Sequence, residues 1–268
     1  MDTEPQESWG GAAAYERFVG RWSRRVAPVF LAQLPLAPGL IWADVGCGTG
    51  ALTQSILARC APGQVVGIDQ AEGFVAAARD EISDPRAVFQ QGNALALPLR
   101  DAAVDATVSG LVLNFVPDHA GMVREMKRVT RPGGTVAAYV WDYAGGMELL
   151  RLFWDAAVRL RPQDASLDEA QRFPVCEPQA LRALWLAQGL EWVQTQPLEI
   201  DTIFQNFDDF WTPFLGRMGP APTYLALLGE AEQASIREAL RDRLRAYDGG
   251  PIMLRARAWA VQGRVPLS

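Results

Sequence analysis

"IWADVGCGTGAL", residues 41–52, places an apolar run, one acid and three alternating glycines in twelve positions. Gly46, Cys47, Gly48, Thr49, Gly50 and Ala51 satisfy G-x-G-x-x-[GA], the spacing of a loop that turns sharply from a strand into a helix and lets a ligand lie against bare main chain. The same spacing serves dinucleotides, so the loop alone leaves the ligand open. Asp44 narrows it. An acid two residues ahead of the first glycine suits a ligand that brings positive charge to the turn, whereas a pyrophosphate there is repelled. A structural use of Asp44, accepting hydrogen bonds from the turn's own amides, is compatible with either.

Outward from this loop the chain alternates short apolar runs with helix-length segments. "LIWADVG", "QVVGID", "AVFQQGN", "VDATVSGLVL" and "TVAAYVWD" read as strands, and 51–60, 71–82 and 118–131 as the helices between them, with "ALALPLRDAA" as a loop and "RPGG" (131–134) as a turn. This rhythm predicts an α/β fold with a parallel sheet covered by helices on both faces. Upstream, Tyr15, Phe18, Val19, Trp22, Val26, Val29 and Phe30 recur at helical spacing within 12–34. After Asp142 the rhythm changes: helices are expected over 145–161, 177–189 and 230–247, an aromatic stretch over 207–216, and strands in "EWVQTQPLEIDTIF" and "IMLRARAWAVQGRV". The helices between those two strands look like an insertion able to roof a pocket.

The 268 residues are enough for one large domain or a domain with a cap. With 49% hydrophobic and 21% charged residues the balance is globular, and no apolar stretch reaches the ~20 residues of a spanning helix. The opening "MDTEPQESWGG" is acidic and polar, unlike a secretory signal, and a cytoplasmic protein is expected. Cys47, Cys60 and Cys176 are too scattered for a disulfide framework or a zinc site, and no metal is expected. A net charge of −6 with dispersed arginines argues against nucleic acid as a partner.

Two further polar positions follow the next strands. Asp69 ends the second, about twenty residues past the loop, where a carboxylate can accept both hydroxyls of a ribose. Asn93 and Ala94 follow the third, where an amide side chain and a backbone N–H can read an adenine edge, Asn93 as a plain turn residue being the alternative. Ribose and adenine occur in NAD and in S-adenosylmethionine; only the second has an amine and no phosphate to set beside Asp44.

Together "ADVGCGTGAL", "VVGIDQAEGFVAAAR", "QGNALALPLRDAAVDATVSGLVLNFVPD" and "MKRVTRPGGTVAAYVWD" resemble the class I S-adenosylmethionine-dependent methyltransferases, in the branch similar to the ubiquinone and menaquinone biosynthesis C-methyltransferases. The resemblance covers about residues 39–142. It implies a Rossmann-like, doubly wound seven-stranded sheet with an antiparallel last strand, for which 252–265 is the candidate, plus a partly helical cap. The corresponding division is 1–38 as a helical segment over the cofactor site, 39–142 as the S-adenosylmethionine-binding core, and 143–268 as remaining strands with the cap at about 205–250. It further implies that Gly46, Cys47 and Gly48 line the methionine portion, Asp69 and Gln70 the ribose and adenine, Asn93 and Ala94 the adenine edge, and Gly110 and Leu111 the sulfonium side. Tyr15 would close over the cofactor. Asn93 departs from the aspartate more usual in the class, but its amide oxygen accepts the same bond.

Methyl transfer from a sulfonium is a direct displacement, so positioning dominates and catalytic groups are few. A base is needed only where the nucleophile carries a proton; Asp142, Tyr143 and His119 are the candidates, each with a bland alternative as a loop or cap residue. Trp22, Trp141, Trp154 and Trp211 are candidates for lining a small apolar or aromatic acceptor, packing of cap on core being the competing use. Alternatives to a methyltransferase are a nicotinamide-dependent oxidoreductase on the same loop, and a fold member that binds S-adenosylmethionine without transferring methyl.

Overall fold

The computed structural model describes residues 20–34, 36–217, 219–247 and 249–267. Tyr15, Phe18 and Val19 lie outside them. Seven strands form one sheet in the order β3-β2-β1-β4-β5-β7-β6: β1 (Ile41–Val45), β2 (Gln64–Asp69), β3 (Ala87–Gln91), β4 (Val104–Gly110), β5 (Thr130–Trp141), β6 (Glu191–Phe204) and β7 (Ile252–Arg264). The strands from β1 to β5 pair in parallel, and β7 runs antiparallel to β5, with Trp141 opposite Ala258. The closing stretch is therefore the antiparallel strand expected of it.

β1 carries four buried residues in succession, as a central parallel strand must when helices cover both faces. It pairs with β2 on one side, Asp44 opposite Gly67, and with β4 on the other, Asp44 opposite Val108. The connections leave β1 in opposite directions across the sheet, so the β1/β4 boundary is the switch point, where the strand ends open a crevice. Helices α1 (Arg21–Ala32), α2 (Ala51–Arg59), α3 (Glu72–Glu81) and α4 (His119–Val129) flank this half. Phe30 of α1 meets Tyr139 of β5 at 4.6 Å between ring centroids. The Asp118 side chain caps α4 by accepting from Gly121 N–H at 2.8 Å, and Met122, Val123, Met126 and Val129 give it a buried face.

"RPGG" differs from its sequence reading. It lies inside β5 rather than in a separate turn: the pairing jumps from Val104↔Thr130 to Ala106↔Thr135, and the extra residues form a bulge with Gly133 at φ +73°. A β-bulge and a turn use the same glycine and proline chemistry, so residue type alone does not separate them.

The chain forms two compact units. One comprises Ser23–Trp141, Val175–Leu198 and Ala258–Ser268 and includes α7 (Pro178–Ala187), whose Trp185 indole donates to Val136 O at 3.1 Å. The other comprises Asp142–Pro174 and Glu199–Arg257 with Arg21 and Trp22. It holds α5 (Glu148–Leu160), α6 (Glu169–Arg172), α8 (Phe207–Trp211), α9 (Pro220–Leu227) and α10 (Glu230–Arg243). The last three fall in the chain between β6 and β7. The stretch 162–176, which carries no clear periodicity, folds as short helical turns around α6.

Candidate functional site

The site of the core unit is built where β1, β2 and β4 end. Gly46 and Cys47 donate their backbone N–H groups to Ile68 O at 2.7 and 3.0 Å, which ties the loop to β2. Gly46 sits at φ +74°, and a Cβ there would meet Val112 Cγ2 at 2.5 Å, so the turn after β4 packs on a position that only glycine can hold. At Gly48, φ +54°, a Cβ would meet nothing within 4 Å, so this part of the loop presents its main chain to open space.

Asp44 is fully buried beneath the loop. Thr53 Oγ1 donates to its Oδ2 at 2.7 Å, while Oδ1 has no hydrogen-bond partner among the described residues. Burial pushes its pKa up to about 7; the Thr53 bond opposes that rise and the Asp69 charge adds to it. Asp69 Oδ2 accepts from Gly48 N–H at 2.9 Å and Oδ1 from Ala71 N–H at 2.9 Å. Burial also raises Asp69, against the backbone N–H groups of Ala71, Gly48 and Gln70. Each Asp69 oxygen keeps a lone pair beyond the bond that fixes the loop. Two neighbouring carboxylates, with no salt bridge to either among the described residues, make this strand end a place for a cation and a poor one for a pyrophosphate.

Around this pair stand the other residues singled out in the sequence. Gln70 is exposed and its carbonyl accepts from Gln91 Nε2 at 3.0 Å. Asn93 Oδ1 accepts from Leu95 N–H at 2.9 Å, so its side chain shapes the turn and its oxygen keeps a second lone pair; Ala94 is half-buried beside it. Gly110 ends β4 against Tyr139, and Leu111 is held at φ +64°, with its N–H donating to Tyr139 O at 2.8 Å. A bulky residue in the left-handed region at the mouth of the strands is stored strain of the kind found at functional sites. Cys47 is buried and its thiol is pushed well up, first by burial and then by Asp44 and Asp69, so it is no nucleophile.

His119 begins α4. Its ring hydrogen-bonds to the backbone of Asn114, and burial holds its pKa below the usual imidazole value. Thr53, Val112 and Asn114 are residues that sequence reasoning missed. Asn114 is 5% exposed, and neither atom of its carboxamide has a partner among the described residues. Its only signal was being the one polar residue in "LVLNFV".

Trp141 ends β5, buried, in the core unit. The remaining candidates belong to the other unit. There Trp22 meets Phe204 (5.4 Å), Phe204 meets Phe210, Phe210 meets Phe214, and Phe214 meets both Trp211 (6.0 Å) and Phe153, which contacts Trp154 at 5.4 Å. Trp22, Trp154 and Trp211 thus share one chain of buried rings. Asp142 is 4% exposed and fully engaged: Arg257 Nε donates to Oδ2 at 2.7 Å, and Gly145 N–H donates to Oδ1 at 3.0 Å. Tyr143 packs on Phe173 at 5.3 Å. Glu169, also buried, accepts from the Trp154 indole and is pushed up to about 8 by burial. Among the described residues no group of side chains is arranged to hold a metal ion, and no helix is long and apolar enough to cross a membrane.

Comparison with known proteins agrees with this geometry. Residues 43–138 match the family described as methyltransferase domain. The demethylmenaquinone methyltransferase of Roseiflexus castenholzii is 41% identical over 113 residues, 42% of this chain and 47% of the relative. The trans-aconitate 2-methyltransferase of Methylobacterium nodulans is 31% identical over 131 residues, 49% of each chain. The chain thus spans about half the length of the curated relatives it matches. Among solved structures, phosphoethanolamine N-methyltransferase 2 of Haemonchus contortus, in complex with S-adenosyl-L-methionine, superposes with a TM-score of 0.58 at 15% identity, over 96% of this chain and 57% of that one. That likeness concerns the fold. S-adenosylmethionine binding is typical of the family and of the fold, and an unpaired buried carboxylate oxygen beneath an open glycine loop fits a cationic cofactor of that kind. Residues 43–138 are thus similar to the methyltransferase-domain family, and the seven-stranded, mostly parallel sheet is that of a Rossmann-like fold.

Proposed function

We propose that the chain is an S-adenosylmethionine-dependent methyltransferase that acts on a small apolar or aromatic molecule by in-line transfer and releases S-adenosylhomocysteine. The observation that carries this reading is the Asp44–Asp69 pair: two adjacent, largely buried carboxylates with no salt bridge among the described residues, directly under a glycine loop. A nicotinamide dinucleotide would set two phosphates against them.

When bound, the cofactor supplies a methyl group activated on a sulfonium. The chain's own residues do the positioning. Asp69 holds Gly48 and keeps lone pairs for ribose hydroxyls; Gln70, Asn93 and Ala94 address the adenine; Gly46, Cys47 and Gly48 line the methionine arm; Gly110 and Leu111 shape the sulfonium side. Tyr15 belongs to this proposal from sequence only. Asp44 offsets positive charge from beneath the loop. No residue need take a proton when the acceptor's nucleophile carries none. Asp142, bonded to Arg257, is a positioning residue in this reading, and His119 steadies the turn after β4 through the Asn114 carbonyl.

The ring chain joining Trp22, Trp154 and Trp211 supports an apolar or aromatic acceptor, since aromatic side chains favour apolar and cationic groups over charged oxygens. The two relatives named above act on different molecules and match over the same half of this chain, so that half does not choose the acceptor. Three cysteines scattered along the sequence and the acidic balance support a reducing, cytoplasmic setting with no nucleic-acid partner. Calorimetry with S-adenosylmethionine, S-adenosylhomocysteine and NAD tests the cofactor: binding of the first two is expected, and preference for NAD overturns the reading. Transfer of radiolabelled methyl to an acceptor in a cell extract separates an enzyme from a binder that has lost transfer.

A further inference from the structure

The turn after β4 carries a group that the cofactor roles above leave unused. Asn114 follows Val112, whose methyl carbons approach within 2.5–2.6 Å of where a Cβ on Gly46 would lie, so the turn is in contact with the glycine loop. The Asn114 carboxamide is nineteen-twentieths buried, and Nδ2 and Oδ1 both lack a partner among the described residues. A carboxamide withdrawn from water with neither end bonded is uncommon in a folded protein and calls for a partner that supplies an acceptor and a donor together. The backbone around it is fixed on both sides: Leu111 N–H bonds Tyr139 O, Phe115 N–H bonds Val112 O, and the His119 ring bonds the Asn114 carbonyl. The side chain is therefore held at this place by contacts that do not use it.

We propose that Asn114 recognises the α-amino-acid end of the ligand held by the glycine loop, Nδ2 donating to the carboxylate and Oδ1 accepting from the ammonium. A zwitterionic amino acid presents both partners within a few ångströms. A sulfonium offers neither a donor nor an acceptor, and an apolar acceptor molecule does not match both ends of a carboxamide. Asp44 Oδ1, also unpartnered among the described residues, is an acceptor and leaves the carboxylate of such a ligand without a donor side chain. Asn114 supplies one. The inference rests on the reading of the loop as an S-adenosylmethionine site.

The test compares S-adenosylhomocysteine with 5′-methylthioadenosine, which keeps the nucleoside and the thioether and lacks the amino-acid end. Both are titrated into the full chain and into Asn114→Leu and Asn114→Asp variants by calorimetry. The wild type is expected to prefer S-adenosylhomocysteine. Asn114→Leu is expected to weaken that ligand about 10- to 100-fold while methylthioadenosine stays within about twofold, so the preference collapses. Asn114→Asp keeps the shape and sets an anion against the carboxylate; the same selective loss is expected, and this variant carries the test where the leucine variant does not fold. Equal losses for both ligands, or no loss for either, overturn the proposal and turn Asn114 towards the acceptor or the fold. Failure of the wild type to bind S-adenosylhomocysteine overturns the parent reading as well, an outcome distinct from unchanged affinity in the variants.

Discussion

Thr53 Oγ1 donates to Asp44 Oδ2 at 2.7 Å, and both residues are fully buried. The Thr53 hydroxyl and backbone N–H are little compensation for a carboxylate withdrawn from water, which is why burial dominates the Asp44 pKa. A group held this way costs stability and is kept for its chemistry. Asp44→Asn is therefore expected to raise the thermal midpoint of the free protein while weakening S-adenosylhomocysteine at least about tenfold, since removing a buried partner of a charged group costs about 2 kcal/mol or more. A variant with lower stability and unchanged affinity would mean that Asp44 serves the fold and not a ligand.

The same carboxyl predicts a pH dependence. Its pKa in the folded chain is about 7 against 3.8 without the fold, so between these values the folded state keeps a proton that the unfolded state has lost. Stability of the free protein from this group is full below about pH 4 and falls as pH rises through 7. A cationic ligand needs the carboxylate, so its binding at pH 6 expels close to one proton. Calorimetry at pH 6 in buffers of different ionisation enthalpy reads that proton directly, and Asp44→Asn should abolish it. Equal enthalpies in all buffers would remove Asp44 from the binding site.

Glu169 adds a second window of the same sign. Its folded pKa of about 8, raised chiefly by burial, lies above the ordinary 4.5. Its contribution is full below about pH 4.5 and is lost as pH rises through 8. Glu169→Gln keeps an acceptor for the Trp154 indole and is expected to flatten urea-unfolding stability between pH 5 and about 8. A profile as steep as that of the wild type would assign the slope to other groups.

How far the sequence reached depends on the range of the interaction that decides each feature. β1, β2 and β4 were legible because runs such as "QVVGID" are buried on both faces and end on glycine or an acid; local composition suffices for that. Asp44, Gly46 and Asp69 were legible for the same reason, each standing at a strand end. Thr53 was not, because its bond to Asp44 reaches nine residues across the glycine loop into α2, and threonine in a helix carries no mark of its partner. The apolar run around Asn114 marks it as buried but carries no sign of whether its carboxamide is bonded. Asp142 was marked as a possible base from its place after β5, but its partner Arg257 lies 115 residues away and no local pattern joins the two. The fate of "RPGG" turned on a register shift between β4 and β5, a property of two strands and not of either alone.

Gly46 allows a stability test of the loop that needs no ligand. Alanine there meets Val112 at 2.5 Å and adopts φ +74°, so Gly46→Ala suffers both a clash and backbone strain. Together these are expected to cost about 2–4 kcal/mol. Val112→Ala removes the clash and leaves the strain, so the double variant should recover part of the loss and remain about 1–2 kcal/mol below Val112→Ala alone. Strict additivity of the two substitutions in urea unfolding would mean that the turn after β4 does not rest on the glycine loop.

Asp142 and Arg257 distinguish a positioning residue from a base. Arg257 reaches Asp142 Oδ2 through Nε at 2.7 Å and through its terminal nitrogen at 2.6 Å, while Asp142 N–H donates to Arg257 O at 2.9 Å. The carboxylate is engaged by a guanidinium on one oxygen and a backbone N–H on the other, and its loss falls on the chain path out of β5. Asp142→Asn and Arg257→Met are each expected to lower stability by about 2–3 kcal/mol, towards the lower end for a buried pair because Arg257 is about a third exposed. A double-mutant cycle should show coupling of about 1–3 kcal/mol. If the pair positions the segment, both variants change KM and kcat together and by similar factors, once an acceptor is in hand. A thousandfold loss of kcat in Asp142→Asn alone, with its thermal midpoint unchanged, would instead make that carboxylate the base.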